Sequence, residues 1–435
     1  MDSSQSPSQA KHPRGLYVLF ASEAWERFSF YSMLALFVLY LRDPIEGFGW
    51  TEAEAIRLYS WYLTFVYVSP LVGGLLADRY LGHLRTTLIG AVFFVAGHFL
   101  LSFHSITIVY AALACLIVGN GLFKPNVSTM VGNLYPKVSP LKDRAFLIFY
   151  FGINVGAFAA GVTMEVVKKF AGYHPAFAVA GAGMVISLMT LYWWREHVSN
   201  VDEPRVAGEG AAVENAELSA VPEGRRVGAL LVVFVIVVVF WMAFHQNGST
   251  LTYFADDNTD WNVSGTIATS INPAWILILT FPLLKLWGWL GPRGMEPSTP
   301  AKMAIGMLLT GLSFIVLYWA ASIGEASVTG ADPYAYRVSP AWLISSYGVV
   351  TLGELLLSPM GLSLTSKVAP PRLRGVMMGG WFVATGVGNK LTAIGVYWTR
   401  WPHSMFFAVL GIMCFAVGAL LAGLLKPLKK AMPGV

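Results

Sequence analysis

The sequence predicts an all-α integral membrane protein with twelve transmembrane helices in two six-helix bundles. Hydrophobic residues make up 56% of its 435 residues, and charged residues only 12%. The mean hydropathy is +0.60, above the range of ordinary soluble chains. The apolar runs are also about 20 residues long, which is the length that a helix needs to cross a bilayer.

The candidate helices follow one another along the whole chain. The tenth and eleventh are interrupted by glycines and prolines, whereas the others are clear. The predicted helices begin near Leu16, Ile56, Thr86, Ile106, Phe146, Tyr173, Val227, Ile267, Met303, Trp342, Val376 and Met405.

One long polar segment, 195–226, separates six predicted helices from six. Its Gly, Ala, Glu and Pro content is typical of a flexible linker. Such a division suggests two related halves around a central site. The predicted parts are an N-terminal tail (1–15), an N-terminal bundle (16–194), the linker (195–226), a C-terminal bundle (227–425) and a C-terminal tail (426–435).

Most of the 29 Lys and Arg residues fall in the tails, in the linker and in connections on the same side of the predicted membrane. Positive residues concentrate on the cytoplasmic side, so we expect both termini to be cytoplasmic. The net charge of +5 has the same origin and does not indicate binding to nucleic acid.

The first predicted helix contains three ionisable residues inside an apolar run. Glu23, Glu26 and Arg27 share one helix face, and Tyr31 follows one turn later. A soluble amphipathic helix is the alternative, but the apolar run is too long for it. Charges inside a membrane helix face a bundle interior or a water-filled path and mark a functional site.

No feature of the sequence indicates an enzyme or a metal site. Cys115 and Cys414 both fall in apolar helices, so no disulfide framework is indicated. The eight histidines are scattered, and no serine lies in a nucleophile elbow. We therefore expect no catalysis and no cofactor.

Several motifs are similar to those of known transporters. The segment 73–85, Gly-Gly-Leu-Leu-Ala-Asp-Arg-Tyr-Leu-Gly-His-Leu-Arg, resembles the signature loop of the major facilitator superfamily, although a plain tight turn is the alternative. Four further segments and the first-helix motif resemble proton-dependent oligopeptide transporters, the POT family. The four segments are 119–126, 149–156, 240–246 and 353–359.

The resemblance implies a major facilitator fold and a proton-coupled symporter that imports di- and tripeptides. It implies alternating access, with the peptide bound between the two bundles and protons as the coupling ion. We therefore expect a monomer in the plasma membrane of a bacterium (the inner membrane), surrounded by lipid. The alternative is a proton-coupled carrier of another small zwitterion or anion, such as an amino acid, nitrate or a drug.

A peptide zwitterion needs a cationic pole, an anionic pole and adaptable groups between them. Arg27 and Lys124 are the candidates for its carboxylate, and Glu354 is the candidate for its ammonium group. Asn154 and Asn272 could bind the peptide amide. The candidate walls are Tyr31, Tyr67, Trp241 and Trp381, and the resemblance adds Ser358, one turn after Glu354.

Each of these assignments has a structural alternative. Lys124 and Glu354 could form an ion pair that serves packing alone. Asn272 precedes Pro273 and could simply satisfy backbone groups that the proline frees. The aromatic residues could be ordinary packing residues.

Proton coupling requires a group whose protonation changes its partners. Glu23 and Glu26 lie beside Arg27, so protonation of either would release the guanidinium for the substrate. His245 stands where many bacterial relatives carry Glu, and it either carries a proton or is a neutral hydrogen-bonded residue. Lys390 receives no role from the sequence.

For the outer gate we predict an ion pair between Arg57 and Asp257. Arg57 lies near the outer end of the second helix, and Asp257 lies just beyond the seventh. Asp256 and Asp260 are the alternatives to Asp257.

Overall fold

The structure is a computed structural model that describes residues 12–135, 141–199, 218, 220–370 and 373–433. These residues are mainly helical, and one isolated β-bridge joins Thr259 to Val338. The helices are α1 (Arg14–Arg42), α2 (Glu52–Leu76), α3 (His83–Leu100), α4 (Ile106–Asn133), α5 (Leu141–Ala171), α6 (Tyr173–Trp193), α7 (Glu223–Phe244), α8 (Thr250–Asp257), α9 (Ala268–Leu290), α10 (Thr299–Ser327), α11 (Pro340–Val368), α12 (Arg374–Leu391), α13 (His403–Gly423) and α14 (Leu425–Ala431).

The twelve predicted helices are confirmed, each beginning within a few residues of the expected position. Within the described ranges, ten helical stretches are long and apolar enough to cross a membrane. The two other long helices are α1, which contains the charged motif, and α12, which is rich in glycine. These two compositions lower the mean hydropathy although the helices are long.

The seventh predicted helix is broken into α7 and α8 by a 3₁₀ segment, His245–Gly248. The break leaves carbonyl groups without helical partners. The Gln246 side chain donates hydrogen bonds to the carbonyls of Met242 and Thr392, both at 3.2 Å. A Cβ atom on Gly248 would lie 2.1 Å from the Tyr59 hydroxyl, so only glycine fits there. Broken helices of this kind are common in transporters where they line a substrate path.

Contacts between Cα atoms divide the chain into two compact units. Unit 1 consists of Met1–Met33, Ser69–Ala160 and His174–Arg205. Unit 2 consists of Leu34–Val68, Gly161–Tyr173 and Val206–Val435. The boundaries therefore cut through α1, α2 and α5. The bundles predicted at 16–194 and 227–425 follow chain order and remain a prediction.

In unit 1, small residues bring the helices close together. A Cβ atom on Gly73 of α2 would lie 1.9 Å from the carbonyl oxygen of Gly121 in α4. Gly90 of α3 and Gly119 of α4 approach each other in the same way. The Gly-Asn-Gly segment at 119–121 is thus a helix-packing feature.

The predicted signature loop joins α2 to α3. A π-helical turn, Ala77–Leu81, extends α2 and ends at Gly82, whose φ of 77° suits glycine. The buried His83 follows, and its Nδ1 lies 2.9 Å from Oδ1 of Asn126 in α4. The Asn126 amide donates to the Leu122 carbonyl at 2.7 Å, so the Nδ1 atom of His83 is the donor in this pair. The loop is therefore fastened to α4.

Unit 2 contains two polar contacts that fasten its parts. The Arg226 guanidinium of α7 donates to the carbonyl of Val368 at the end of α11, at 2.8 Å. Glu165, near the end of α5, accepts hydrogen bonds from the backbone amide and hydroxyl of Ser264. The seven-residue helix α14 packs on α7, α10 and α13 and occupies most of the predicted C-terminal tail. The predicted linker lies largely outside the described residues.

Two neighbouring glycines of α2, Gly73 and Gly74, provide a matched test of the contact between α2 and α4. Replacing Gly73 with alanine places a methyl group against the Gly121 carbonyl, and we expect it to cost roughly 1–3 kcal/mol of stability. Gly74→Ala is the control, because a Cβ atom there meets nothing within 4 Å. Thermal unfolding of the two purified variants in detergent would measure the difference. Equal melting temperatures would contradict this account of the contact between α2 and α4.

Candidate functional site

The charged residues of α1 form a buried cluster in unit 1. The side chains of Glu23, Glu26 and Arg27 are at most 3% exposed. The Arg27 guanidinium donates to both carboxylate oxygens of Glu26, one through Nη2 at 2.6 Å, and it lies 3.3 Å from Glu23. Neighbouring residues on the helix thus form a bidentate ion pair. The arrangement confirms that these charges face the protein interior.

Lys124 of α4 lies close enough to interact electrostatically with Glu23, Glu26 and Arg27. With all four groups ionised, the cluster contains two positive and two negative charges. The Arg27 guanidinium also lies over the Phe30 ring, 4.9 Å from its centroid. The positive charges of Arg27 and Lys124 are therefore balanced by the carboxylates of Glu23 and Glu26.

Two other predicted residues belong to unit 1. Asn154 is buried in α5 and donates one hydrogen bond to the Tyr150 carbonyl, at 2.9 Å. The partly exposed Tyr31 ring meets Phe30 edge to face, with 5.3 Å between the ring centroids. Each lies on a helix that carries a motif predicted to line the site.

The anionic candidate, Glu354, is part of a second polar group within unit 2. Its carboxylate accepts a hydrogen bond from the Asn272 amide at 2.9 Å, and the same amide donates to the Thr351 hydroxyl at 2.9 Å. Asn272 therefore joins α9 to α11 and does more than satisfy the backbone near Pro273. Within unit 2, no cation lies within ion-pair distance of Glu354 among the described residues.

Aromatic residues form two further groups in unit 2. Trp241 stacks on His245 with 5.0 Å between ring centroids, and Tyr67 meets His245 edge to face at 5.4 Å. Trp381 of α12 lies against Gly361 of α11, where a Cβ atom would come within 1.8 Å of the indole ring. Tyr67, Trp241 and His245 are thus adjacent, whereas Trp381 belongs to the contact between α11 and α12.

Ser358 lies one turn after Glu354 on α11 and is partly exposed. Its placement agrees with the predicted order along the helix. Within the described ranges, no group of three His, Cys, Asp or Glu residues is arranged to hold a metal ion.

The ion pair predicted between Arg57 and Asp257 is wrong in its cation, because Asp257 pairs with Arg42. Arg42, the last residue of α1, contacts Asp257 and also Asp256, the latter at 2.6 Å. The same guanidinium lies 3.0 Å from Glu52. We call Arg42, Glu52, Asp256 and Asp257 the Arg42 cluster; all belong to unit 2.

Arg57 is not the cation of this cluster. It lies on an exposed face of α2, whereas Arg42 is directed at the end of α8 and lies over the Tyr253 ring, 4.8 Å from its centroid. Asp256 also accepts a hydrogen bond from the Gly265 amide at 2.8 Å, which holds it in place. Asp260 is exposed, and no ion pair is found for it within the described residues.

Lys390, which the sequence left without a role, contacts α2. Its ammonium group donates to the Ser60 hydroxyl at 3.2 Å and lies over the Trp61 ring, 4.1 Å from the centroid. Glu165 makes a comparable contact between α5 and Ser264. Sequence reasoning missed both contacts because their partners are single polar residues with no recognisable motif.

The model of the POT family matches residues 84–205 and 193–413. The chain belongs to the POT family. The match spans the motifs of α4, α5, α7 and α11, and these helices carry the candidate residues Lys124, Asn154, Trp241, Glu354 and Ser358.

Related transporters align over nearly the whole chain. An uncharacterised transporter of Bacillus subtilis (strain 168) is 32% identical over 98% of this chain and 96% of its own length. A di-/tripeptide transporter of Lactococcus lactis subsp. lactis (strain IL1403) is 30% identical over 97% of each chain. Among solved structures, a POT peptide transporter in complex with alafosfalin is 29% identical, with a TM-score of 0.86 over 97% of this chain and 96% of that one. The fold is thus the major facilitator fold of POT transporters.

The corrected ion pair can be tested by comparing two arginines. Arg42→Gln leaves three carboxylates together without their cation, and we expect a loss of about 1.5–3 kcal/mol, the range for hydrogen bonds to charged groups. Arg57→Gln removes the same charge from an exposed position and should change stability little. Thermal unfolding at low and high salt would compare them. A larger loss for Arg57→Gln would restore the original pairing.

Proposed function

We propose that this protein imports di- and tripeptides together with protons. The observation that carries the proposal is the chemistry of two separate polar groups: a cluster with two cations in unit 1, and a carboxylate in unit 2 with no cation at ion-pair distance among the described residues of that unit. A peptide zwitterion has one charge of each sign, so its carboxylate can bind the cations of the first group and its ammonium group can bind the carboxylate of the second. The printed names of POT relatives, a di-/tripeptide transporter and a dipeptide and tripeptide permease, support the same substrate class.

In this proposal, Arg27 and Lys124 bind the peptide carboxylate, and Glu354 accepts hydrogen bonds from the peptide ammonium group. Asn154 and Asn272 have amides suited to the peptide bond, and Asn272 also orients Glu354. The aromatic residues Tyr31, Tyr67, Trp241 and Trp381 provide surfaces that tolerate different side chains, and Ser358 adds a hydroxyl near Glu354.

Proton coupling follows from competition for Arg27. With Glu23 and Glu26 both ionised, their charges and those of Arg27 and Lys124 sum to zero. Protonation of one carboxylate leaves a net charge of +1, which attracts the peptide carboxylate. Oε2 of Glu23 is buried with no hydrogen-bond partner among the described residues, so an added proton there displaces no existing contact. Loss of the proton restores the ion pairs and favours peptide release.

His245 is the second proton carrier in this proposal, because its ring contacts Tyr67 and Trp241 at the break between α7 and α8. The protein alternates between states open to each side of the plasma membrane, with both termini in the cytoplasm, and works as a monomer. An entering proton gains about 2.3 kcal/mol per 100 mV of membrane potential.

A second candidate substrate class is a small zwitterion that is not a peptide. A POT family transporter in complex with 5-aminolevulinic acid is 26% identical, with a TM-score of 0.85 over 96% of this chain and 97% of that one. Such a ligand also has an amine and a carboxylate, so the same two polar groups could bind it.

The first test is uptake of labelled dialanine by liposomes that contain the purified protein. An acid-outside gradient and an inside-negative potential would drive it. Accumulation that a proton ionophore abolishes, and that peptides but not free alanine inhibit, would establish peptide symport. Uptake of 5-aminolevulinic acid with no uptake of dialanine would favour the second class.

Glu354→Gln tests the anionic pole. The amide keeps an acceptor for Asn272 but removes the charge, so we expect dialanine affinity to fall roughly 10- to 100-fold, from the loss of a charge-assisted hydrogen bond. N-acetyl-dialanine lacks the ammonium group, so its weaker binding should not change. Glu196→Gln, at an exposed position, is the control. If both ligands lost equal affinity in Glu354→Gln, Glu354 would not bind the ammonium group.

Glu26→Gln tests the proton switch. The substituted amide can still accept from Arg27 but cannot release it by protonation. We expect proton-driven accumulation to fall to near the equilibrium level while exchange of labelled for unlabelled peptide continues. Both would be measured in the same liposomes, with Glu196→Gln as control. Full proton-driven accumulation would remove Glu26 from the coupling mechanism.

A further inference from the structure

A cavity of about 380 Å³ lies in unit 2, and none of the residues that line it belongs to the proposed transport site. It is formed by the first turns of α7 and by α14, together with Leu424, the residue that follows α13. Its walls are largely apolar and include Val232, Leu424 and Leu428. Two cations, Arg225 and Lys430, also line it.

The cavity exists because of two local features of the sequence. Gly228 contributes no side chain, and a Cβ atom there would meet nothing within 4 Å. The helix α14 is amphipathic: Leu428 is buried against the protein, whereas Lys426, Lys429 and Lys430 are exposed. The short helix α14 is thus anchored by Leu428, and one of its three exposed lysines, Lys430, lines an open apolar space.

The charge around this cavity is strongly positive. Arg225 and Lys430 belong to no ion pair found among the described residues, and Lys426 and Lys429 are exposed on the same helix. The acidic residue in the first turn of α7, Glu223, does not line the cavity. An occupant with negative charge is therefore favoured.

The position of the cavity favours a phospholipid over a soluble anion. α7 and α13 are both long and apolar enough to span a membrane, and the cavity lies where α7 begins and α13 ends. Lipid headgroups occupy this level of a bilayer. A soluble phosphate would contact the cations but leave the apolar walls exposed. A phospholipid would contact the cations with its headgroup and the apolar walls with an acyl chain.

We propose that this cavity is a binding site for an anionic phospholipid. Arg225 and Lys430 contact the headgroup phosphate, and the walls around Val232 and Leu424 cover the start of an acyl chain. The binding stabilises the contact of α14 with α7. This inference concerns lipid recognition and does not depend on which substrate the protein transports.

Phosphatidylglycerol is the probe, added to the purified full chain after delipidation in a neutral detergent. Native mass spectrometry would count the bound lipid, and thermal unfolding would measure its effect. Each nearby cation contributes about 1 kcal/mol, so the double variant R225Q/K430Q should lose on the order of 30-fold in affinity. K426Q/K429Q removes the same charge from α14 positions that do not line the cavity, and it should lose at most a few-fold.

Gly228→Leu tests the cavity without any change of charge. The open space beside Gly228 accepts the side chain, so the variant should fold, yet it should no longer bind phosphatidylglycerol. Phosphatidylcholine, a zwitterionic lipid without net charge, and glycerol 3-phosphate, a soluble phosphate, should not compete at equal concentration. An equal loss in K426Q/K429Q would show general surface attraction, undiminished binding in Gly228→Leu would place the lipid elsewhere, and competition by glycerol 3-phosphate would show a site for soluble phosphate. Each of these results would overturn the proposal.

Discussion

The ion pairs of Arg27 with Glu23 and Glu26 are the constraint on which the rest of unit 1 depends. Moving such charges out of water costs several kcal/mol for each ion, so none is stable without its partners. The cost is offset by a bidentate contact, by a second carboxylate and by Lys124 from α4. This balance fixes which face of α1 can be turned toward the interior. It also makes the cluster sensitive to a single proton, because one added charge upsets a sum that is otherwise zero.

Unit 2 uses polar groups in a different way. Glu354 is held by the amide of Asn272, and among the described residues of unit 2 no cation pairs with it, so within this unit its charge is oriented but not neutralised. Elsewhere the unit joins segments that are far apart in the sequence: Arg42 of α1 to the end of α8, Lys390 of α12 to α2, and Glu165 of α5 to Ser264. Each of these contacts uses a charged side chain at or near a helix end. In the proposed function the interior charges bind a ligand, whereas the charges near the helix ends hold segments together.

The helices could be predicted from hydropathy because a bilayer demands about 20 apolar residues for each crossing. The buried cluster could be predicted as well, since i, i+3 and i+4 residues must share a face. The cation that pairs with Asp257 could not be predicted, because Arg42 and Arg57 both lie near helix ends and only the packing of α1 against α8 distinguishes them. The break at 245–248 was also missed: it depends on Tyr59 from α2 filling the space beside Gly248. α14 was assigned to a tail because seven residues carry too little hydrophobic periodicity.

The Arg42 cluster sets one guanidinium against three carboxylates. Suppose that Arg42 exchanged places with one of the three acids. The arginine at its new position would face the single acid now at position 42. The two other acids would then face that acid in place of arginine, so three negative groups would lie together. Pairwise reversal therefore does not restore the ion pairs, and we expect these positions not to be exchanged two at a time. Among homologues, we expect position 42 to vary only together with positions 52, 256 and 257. One position should therefore covary with three.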